Sequence, residues 1–280
     1  MVCEKRVKSL EEKAAKLRLD VINAVKAAGK GHIGGAFSMM DLLVALYHGR
    51  FLNYDNNSAE ADARDRFFLS KGHAGVGLYA LLADIGYIDP KELAAINSGQ
   101  LLGEHPDPRI KGIESVTGSL GHSLSVAAGV VYGNRHDKQR GKCVVMMGDG
   151  ECYEGSVWEG AIFAAHHGLS NLYVILDRNG LISNGRTEQE NALDPISDKW
   201  TAFGWDVRAV DGHDMRSILV EYELFFAEDQ NATQKPKILI ADTIKGRGVS
   251  FMENVVGWHH GGLSDEEYEI ANAELSLKRV

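Results

Sequence analysis

Apolar residues along this chain change from helical spacing near the start to short continuous runs farther on. From about Leu10 to Ala28 they recur every three to four residues, which predicts an amphipathic helix. A glycine-rich break, GKGHIGG, follows, and the apolar stretch SMMDLLVALYH predicts the next helix. Residues 1 to roughly 60 are therefore expected to form a helical segment ahead of the main fold.

Farther along the chain, apolar runs that end in turn residues predict five strands: RFFLS, KCVVMMGDG, NLYVILDRNG, WDVRAVDGHD and KPKILIADTIKG. Helical patterns lie between most of them, and Asp214 is placed to cap the helix MRSILVEYELFFAED. A further helix is predicted in the tail, SDEEYEIANAELSLK. Strands without polar alternation, separated by helices, are typical of parallel sheets covered on both faces. The sequence therefore predicts one α/β domain over residues 1–280, a doubly wound parallel sheet with helices on both faces.

Charge and composition narrow the classes of partner. Thirty lysines and arginines stand against 39 aspartates and glutamates, a formal net charge of −9. Such an acidic chain is a poor candidate for binding nucleic acid or an anionic membrane, and a bound phosphate would need a metal ion or a helix terminus for positive charge. No apolar run reaches the roughly 18 residues of a membrane span. The three cysteines lack the spacing of a zinc site, and the charged N-terminus has no signal-peptide core. Both features predict a cytoplasmic protein.

Two predicted strands end in polar residues that suit a metal ion. Asp149 follows KCVVMMG, and Asn179 follows NLYVILDR. If the strands are neighbours, both side chains reach one crevice, where oxygen ligands suit Mg²⁺ or Ca²⁺. Gly148 and Gly150 would let a phosphate approach the backbone, and the Leu181 carbonyl is a further candidate ligand. A GDG sequence by itself is more often a structural turn. The metal site is therefore predicted from the spacing between Asp149 and Asn179.

Several motifs, taken in order along the chain, resemble one known family. GDG followed about thirty residues later by Asn is similar to the thiamine diphosphate signature. GHIGG, RDRFFLSKGH, EHPDP, TGSLGHS, TIKGRG and WHHGG resemble further segments of transketolases. The resemblance spans essentially the whole chain and corresponds to the half of a transketolase that binds the cofactor diphosphate. It implies thiamine diphosphate with Mg²⁺ or Ca²⁺ as cofactors, and Asp149, Asn179 and Leu181 as metal ligands.

The resemblance also assigns roles to histidines beside glycine-rich turns. Taken singly, each is more often a structural residue. Together, His32, His73, His105 and His260 are implied to line the channel to the thiazolium and to move protons, as imidazoles do near neutral pH. His73 would lie nearest the diphosphate and His105 nearest the first carbons of the donor sugar. Because WHHGG carries one more histidine than the usual WHG, His259 and His260 compete for one role.

Cofactor contacts are implied for a second group of residues, namely Gly118, Leu120, Gly148, Gly150, Glu154 and His73. Gly118 and Leu120 would approach the aminopyrimidine ring. Glu154 has two interpretations, a carboxylate beside a helix N-terminus or part of a carboxylate network between subunits. His213 is interpreted as a local cap.

Four departures from the family pattern are expected to border the pocket, at Ile33, Ser119, His122 and Asn184. They bear on the sugar substrate more than on the cofactor, and they support the alternative of a modified sugar.

The resemblance implies the N-terminal subunit of a split transketolase, which transfers a two-carbon ketol unit from a ketose to an aldose. A separate C-terminal subunit would complete the cofactor pocket, in an α2β2 heterotetramer acting on small sugars. One alternative is a related split enzyme that uses a modified sugar or another acyloin substrate. A less favoured alternative is a non-catalytic regulatory subunit.

Overall fold

Five parallel strands form one sheet in the computed structural model, which describes residues 2–54, 64–137, 139–227 and 234–277. The strands are β1 (Arg66–Leu69), β2 (Cys143–Gly148), β3 (Leu172–Arg178), β4 (Asp206–Asp211) and β5 (Lys237–Asp242). Their order across the sheet is β1-β2-β3-β5-β4. The predicted α/β fold class with a parallel sheet is confirmed.

Helices of the described residues flank this sheet. They are α1 (Glu4–Ala28), α2 (Ile33–Ser38), α3 (Met40–His48), α4 (Gly75–Asp84), α5 (Ser123–His136), α6 (Gly155–His166), α7 (Thr187–Glu190), α8 (Ile196–Ala202), α9 (Met215–Phe225) and α10 (Asp265–Leu277). The short helices α7 and α8 were not predicted. Some of the predicted residues lie outside the described ranges. They are residues 55–60 of the predicted helical segment and the predicted C-terminal ends of two helices, at residues 228–229 and 278. Within the described ranges, no helix is both long and apolar enough to cross a bilayer.

Alternate residues of each central strand face two separate apolar layers. On β2, Val144 and Met146 pack with α1, α3, α4 and α9, whereas Cys143, Val145 and Met147 pack with α5, α6 and α8. All five are fully buried. Burial on both faces explains why the sequence of this strand is a continuous apolar run.

The glycine-rich segment near the N-terminus is more helical than predicted. Helix α2 begins at Ile33, so Gly34 and Gly35 lie inside it and are buried. A Cβ added at Gly34 would lie 2.7 Å from the carbonyl oxygen of Trp258, which leaves room only for glycine. Close packing of two segments, rather than a break in the chain, therefore accounts for this glycine.

A buried charged network joins the N-terminal helices to the far end of the sheet. Arg18 donates to Asp41 with separations of 3.0 and 2.7 Å, and also to the carbonyl of Phe37 at 2.8 Å. His213 contacts Asp41 through Nδ1 at 2.7 Å, and its Nε2 accepts the Ile244 N–H at 2.8 Å. The interpretation of His213 as a local cap was wrong, because its ring connects distant segments. Burial opposes ionisation of Asp41, but the charge of Arg18 and the His213 contact hold its pKa well below the ordinary value.

We expect Asp41→Asn to reduce the free energy of unfolding by about 3–5 kcal/mol, since it leaves the Arg18 guanidinium buried without a full counter-charge. Urea denaturation followed by circular dichroism measures this. The control is Glu12→Gln, which removes an exposed partner 3.9 Å from Lys8 and should change stability by no more than about 0.5 kcal/mol. Equal effects of the two substitutions would contradict the role given to the network.

Candidate active site

A cavity of about 310 Å³ opens at the carboxyl edge of the sheet, beside the ends of β2 and β3. Open parallel sheets bind ligands at this edge. Eight residues predicted from the sequence line the cavity: His73, Gly118, Leu120, Gly148, Gly150, Glu154, Asn179 and Leu181. Strands β2 and β3 are paired neighbours, as the prediction from Asp149 and Asn179 required.

Asp149 is 2% exposed and shapes the turn after β2. Its two carboxylate oxygens accept the N–H groups of Gly150 at 2.8 Å and Gly180 at 2.6 Å. Burial, followed by the nearby charge of Asp177, raises the pKa of Asp149 to about 6. A cation facing this carboxylate would therefore stabilise its ionised form. Asn179 is also buried, and its Oδ1 accepts the Leu181 N–H at 3.1 Å.

Lys71 is a buried cation of the cavity wall that sequence analysis missed. It is 1% exposed, forms an ion pair with Asp177 and donates to the carbonyl of Gly35 at 2.9 Å. Asp177 is fully buried and also accepts from Ser38 at 2.6 Å and from Thr243. Burial opposes the charge of Asp177, but Lys71 keeps its pKa below the ordinary value.

Lys245 is the second buried cation, at 2% exposure. Its Nζ donates to the carbonyls of Leu181 at 3.1 Å and Ile182 at 3.3 Å, and lies 2.8 Å from His259 Nδ1. Burial, then the charge of Lys71, lowers its pKa to about 8, so the amine is mostly protonated at pH 7. The expectation that only a metal ion or a helix terminus would supply positive charge was therefore wrong. Lys71 lies in the motif SKGH and Lys245 in TIKG, and these positions within the motifs could have identified both residues from the sequence.

Imidazole rings pack together beside the cavity. The His32 centroid lies 5.3 Å from that of His73, 5.2 Å from that of His259 and 4.5 Å from that of His260, and His73 stacks on His259 at 5.1 Å. Burial lowers the pKa of His32 to about 4, that of His259 to about 3 and that of His73 well below its ordinary value. At neutral pH these three rings are therefore uncharged, and each carries one nitrogen that can accept a hydrogen bond.

The two adjacent histidines of WHHGG occupy different positions. His259 lines the cavity with Lys245, whereas His260 lies farther out and contacts Glu104 Oε1 at 3.0 Å. Sequence analysis chose His260 and left open which of the two faces the site. Because His259 lines the cavity, it joins the candidate site residues. His260 remains a candidate because its ring lies beside that of His32.

His105 packs against Gly118, one of the residues that line the cavity. Its ring is exposed, and a Cβ added at Gly118 would lie 2.6 Å from His105 Cδ2. Gly118 also has a φ of 127°, which side chains rarely adopt. The Tyr79 hydroxyl donates to the His105 carbonyl at 2.9 Å. Glycine is therefore required at position 118 for the loop that carries it to approach the loop that carries His105.

Glu154 precedes α6 and is exposed at the edge of the cavity, with Leu120 on the same lining. Glu151, which was not predicted, is 2% exposed and accepts the Gly121 N–H at 2.8 Å and the Ser70 hydroxyl. It ties the TGSLG segment to the turn after β2.

Three of the four departures from the family pattern lie near the cavity. Ser119 and His122 are exposed in or beside the segment that carries Gly118, and Asn184 is exposed next to the lining residue Ser183. Ile33 is fully buried in α2 and packs in the core. The expectation that Ile33 borders the pocket was wrong, because its side chain points into the apolar layer.

The donor set suits a diphosphate bound with a divalent cation. Carboxylate, amide and carbonyl oxygens from Asp149, Asn179 and Leu181 are the ligands that hard cations prefer. Two buried amines add to this set: Lys71 is already paired with Asp177, and Lys245 would offset part of the charge of a phosphate. The residues present therefore fit the cofactor that the motifs imply.

Comparison with known proteins gives the family. Residues 10–279 match the family described as transketolase, thiamine diphosphate binding domain. One subunit of the apulose-4-phosphate transketolase of Phocaeicola vulgatus is 40% identical over 272 residues, which cover 97% of this chain and 95% of that protein. The 6-deoxy-6-sulfo-D-fructose transketolase subunit SqwG of a Clostridium species is 37% identical, and the match covers 95% of this chain and 96% of that protein.

Solved structures agree. The transketolase of Campylobacter jejuni superposes with a TM-score of 0.86 at 27% identity, and the match covers 95% of this chain but 42% of that chain. Human transketolase is 34% identical over 259 residues, and the match spans 40% of its length. The chain thus spans about two fifths of these longer relatives.

The predicted family and the predicted thiamine diphosphate cofactor are confirmed. The chain belongs to the transketolase family and corresponds to its thiamine diphosphate binding domain.

Proposed function

We propose that this chain is the N-terminal subunit of a two-chain transketolase, which transfers a two-carbon ketol unit from a ketose to an aldose. The observation that carries the proposal is the cavity at the ends of β2 and β3, where Asn179 and two buried lysines form part of the wall and the buried Asp149 lies in the turn between the lining residues Gly148 and Gly150. Two similar proteins are named as single subunits of a transketolase and match this chain along nearly their whole length, which supports the division into two chains.

The cofactor diphosphate would be held with one divalent cation, and Mg²⁺ suits the hard oxygen ligands of Asp149, Asn179 and the Leu181 carbonyl. Lys245 would offset part of the remaining charge. Gly148 and Gly150 would leave the backbone accessible to the phosphates. When bound, thiamine diphosphate supplies an electron sink that allows a carbon–carbon bond next to a carbonyl group to break.

The imidazoles would handle the protons of substrate hydroxyl groups. His32 and His73 are neutral and buried, so each offers a ring nitrogen that can accept a hydrogen bond from a substrate hydroxyl group, and His260 lies against His32. His73 would also contact the cofactor, and His105 beside Gly118 would contact the first carbons of the donor. His259 joins this set because it lines the cavity beside Lys245.

The rest of the pocket would come from a C-terminal partner subunit. Gly118 and Leu120 would contact one side of the aminopyrimidine ring, and the exposed Glu154 would join a carboxylate network across the boundary between the chains. Exposed apolar side chains on α5 and α6, including Tyr132 at 39%, Ile162 at 55% and Phe163 at 39%, support a covered surface there. We therefore propose an α2β2 heterotetramer, located in the cytoplasm, in which residues 1–280 form one diphosphate-binding domain.

A modified sugar is the second candidate substrate class. The names of two similar proteins specify apulose-4-phosphate and 6-deoxy-6-sulfo-D-fructose. Exposed Ser119, His122 and Asn184 beside the cavity favour this alternative, because they change the polar groups that border it. A panel of ketose donors that includes sulfonated and branched sugars distinguishes it from the ordinary sugar-phosphate reaction.

This chain alone should be inactive, because it supplies half of the cofactor pocket. The test is to purify the chain by itself and together with a C-terminal transketolase subunit, and to measure ketol transfer with thiamine diphosphate and Mg²⁺ over that donor panel. We expect turnover only from the mixture. Robust turnover by the lone chain would refute the two-chain proposal.

Asp149→Asn keeps the size of the side chain but removes its charge. We expect cofactor affinity in the presence of Mg²⁺ to fall by roughly 100-fold or more, since even residues that merely orient metal ligands contribute 10- to 100-fold. Cofactor titration of the two-chain enzyme, with and without Mg²⁺, measures this. The control is Asp198→Asn on α8, which is exposed and should leave the titration unchanged. Affinity that stays high and independent of metal would contradict the assignment.

His105→Ala should slow donor cleavage by about 10²- to 10⁴-fold, the usual contribution of an acid–base group, with cofactor affinity nearly unchanged. Single-turnover cleavage at saturating cofactor measures the rate. His136→Ala, at the exposed end of α5, is the matched control. A rate within a few-fold of the unmodified enzyme would remove His105 from the reaction.

A further inference from the structure

Three metal-ligating side chains converge beside the cavity, apart from Asp149 and Asn179. His32, Glu104 and His260 come from three separate loops and are each partly buried, with their ligand atoms within 4.8 Å of one another. Glu104 Oε1 lies 3.1 Å from His32 Nδ1 and 3.0 Å from His260 Nε2. One carboxylate oxygen therefore faces two imidazole nitrogens.

The backbone fixes the two histidines before any ligand arrives. Gly31 and Gly261 form an antiparallel bridge with N–H to carbonyl distances of 2.9 and 3.0 Å. His32 follows the first glycine and His260 precedes the second, so the bridge carries both rings side by side at a centroid distance of 4.5 Å. Preorganised ligands lose little freedom when a metal ion binds.

A buried nitrogen at this position lacks a partner. His32 Nδ1 is shielded from solvent and makes no hydrogen bond with any of the described residues. Glu104 Oε1 is close, yet the contact does not have hydrogen-bond geometry. A buried polar atom without a hydrogen bond is costly, and a metal ion or an ordered water would satisfy it.

The spacing fits a tetrahedral metal ion. Zinc binds histidine nitrogen at about 2.0–2.1 Å and carboxylate oxygen at about 2.0–2.2 Å, which places neighbouring ligand atoms roughly 3.3 Å apart. The two separations from Glu104 Oε1 lie within a few tenths of an ångström of that value, and the two histidine nitrogens lie within 4.8 Å of each other. Two imidazoles and a carboxylate also prefer a borderline ion such as Zn²⁺, whereas Mg²⁺ prefers oxygen ligands.

We propose that His32, Glu104 and His260 form a transition-metal site, of the Zn²⁺ class, at the edge of the active-site cavity. An ion bound there takes the nitrogen lone pairs of His32 and His260. Ketol transfer should then fall by about 100-fold, because an acid–base group usually contributes 10²- to 10⁴-fold. This inhibition rests on the proposed function, whereas metal binding itself does not.

The test uses Co²⁺ as a visible substitute for Zn²⁺. Co²⁺ is titrated into the metal-free full chain with excess Mg²⁺ present, and visible absorption and calorimetry are recorded. We expect one equivalent to bind with the spectrum of a four-coordinate ion, to be displaced by Zn²⁺ and to resist Mg²⁺. Glu104→Gln and His260→Asn should each weaken binding by at least about 10- to 100-fold, since direct ligands matter no less than the residues that orient them.

Matched controls are His166→Asn and Glu159→Gln, which change an exposed histidine and an exposed glutamate of α6. They should leave the Co²⁺ titration unchanged. No spectral change at millimolar Co²⁺, or binding lost in His166→Asn but kept in Glu104→Gln, would overturn the proposal. Glu104→Gln alters a partly exposed side chain, so it still tests the site if His260→Asn fails to fold.

In the two-chain enzyme, Glu104→Gln should relieve inhibition by Zn²⁺. An enzyme without ketol transfer whose chain still binds Co²⁺ would refute the proposed function and leave the metal site intact.

Discussion

The active-site cavity depends on keeping one buried charge paired. Asp177 sits at the end of β3 with no exposure to solvent, and Lys71, Ser38 and Thr243 reach it from three other segments. Loss of a partner from a buried charge is strongly destabilising, so these segments are held together around the carboxylate. The same constraint directs the Lys71 amine to the cavity wall, where it also bonds the Gly35 carbonyl. A single ion pair therefore holds these segments together and sets the position of an amine in the cavity wall.

Much of the fold could be predicted from local patterns. Buried strands with both faces covered appear as apolar runs, and the Asp214 cap was identified from its position alone; the structure shows its side chain accepting backbone N–H groups of α9. The insertion of β5 between β3 and β4 was not predicted, because strand order depends on contacts that no local pattern records. Gly34 was interpreted as a break for a similar reason, since its close neighbour Trp258 is distant in sequence.

Residues of the candidate site could be placed together from the sequence where a spacing rule applied, and others were missed where none did. Asp149 and Asn179 follow from consecutive strand ends, whose side chains must meet if the strands pair. Lys71 and Lys245 were overlooked because the negative charge of the whole chain says nothing about the sign of one buried pocket. His259 differs from its neighbour by one position, and only the loop conformation decides which ring faces inward.

The network of Arg18, Asp41 and His213 connects helix packing to the cavity wall. His213 accepts the N–H of Ile244, whose next residue is Lys245. Damage to this network would loosen the segment that carries the cavity-wall residue Lys245, although no member of the network lines that cavity. Because a ligand that binds only the folded state stabilises it by mass action, a high cofactor concentration would restore part of the lost folded population. Substitutions here would therefore lower activity in a way that added cofactor partly reverses, which a titration alone would not distinguish from a defect of the binding site.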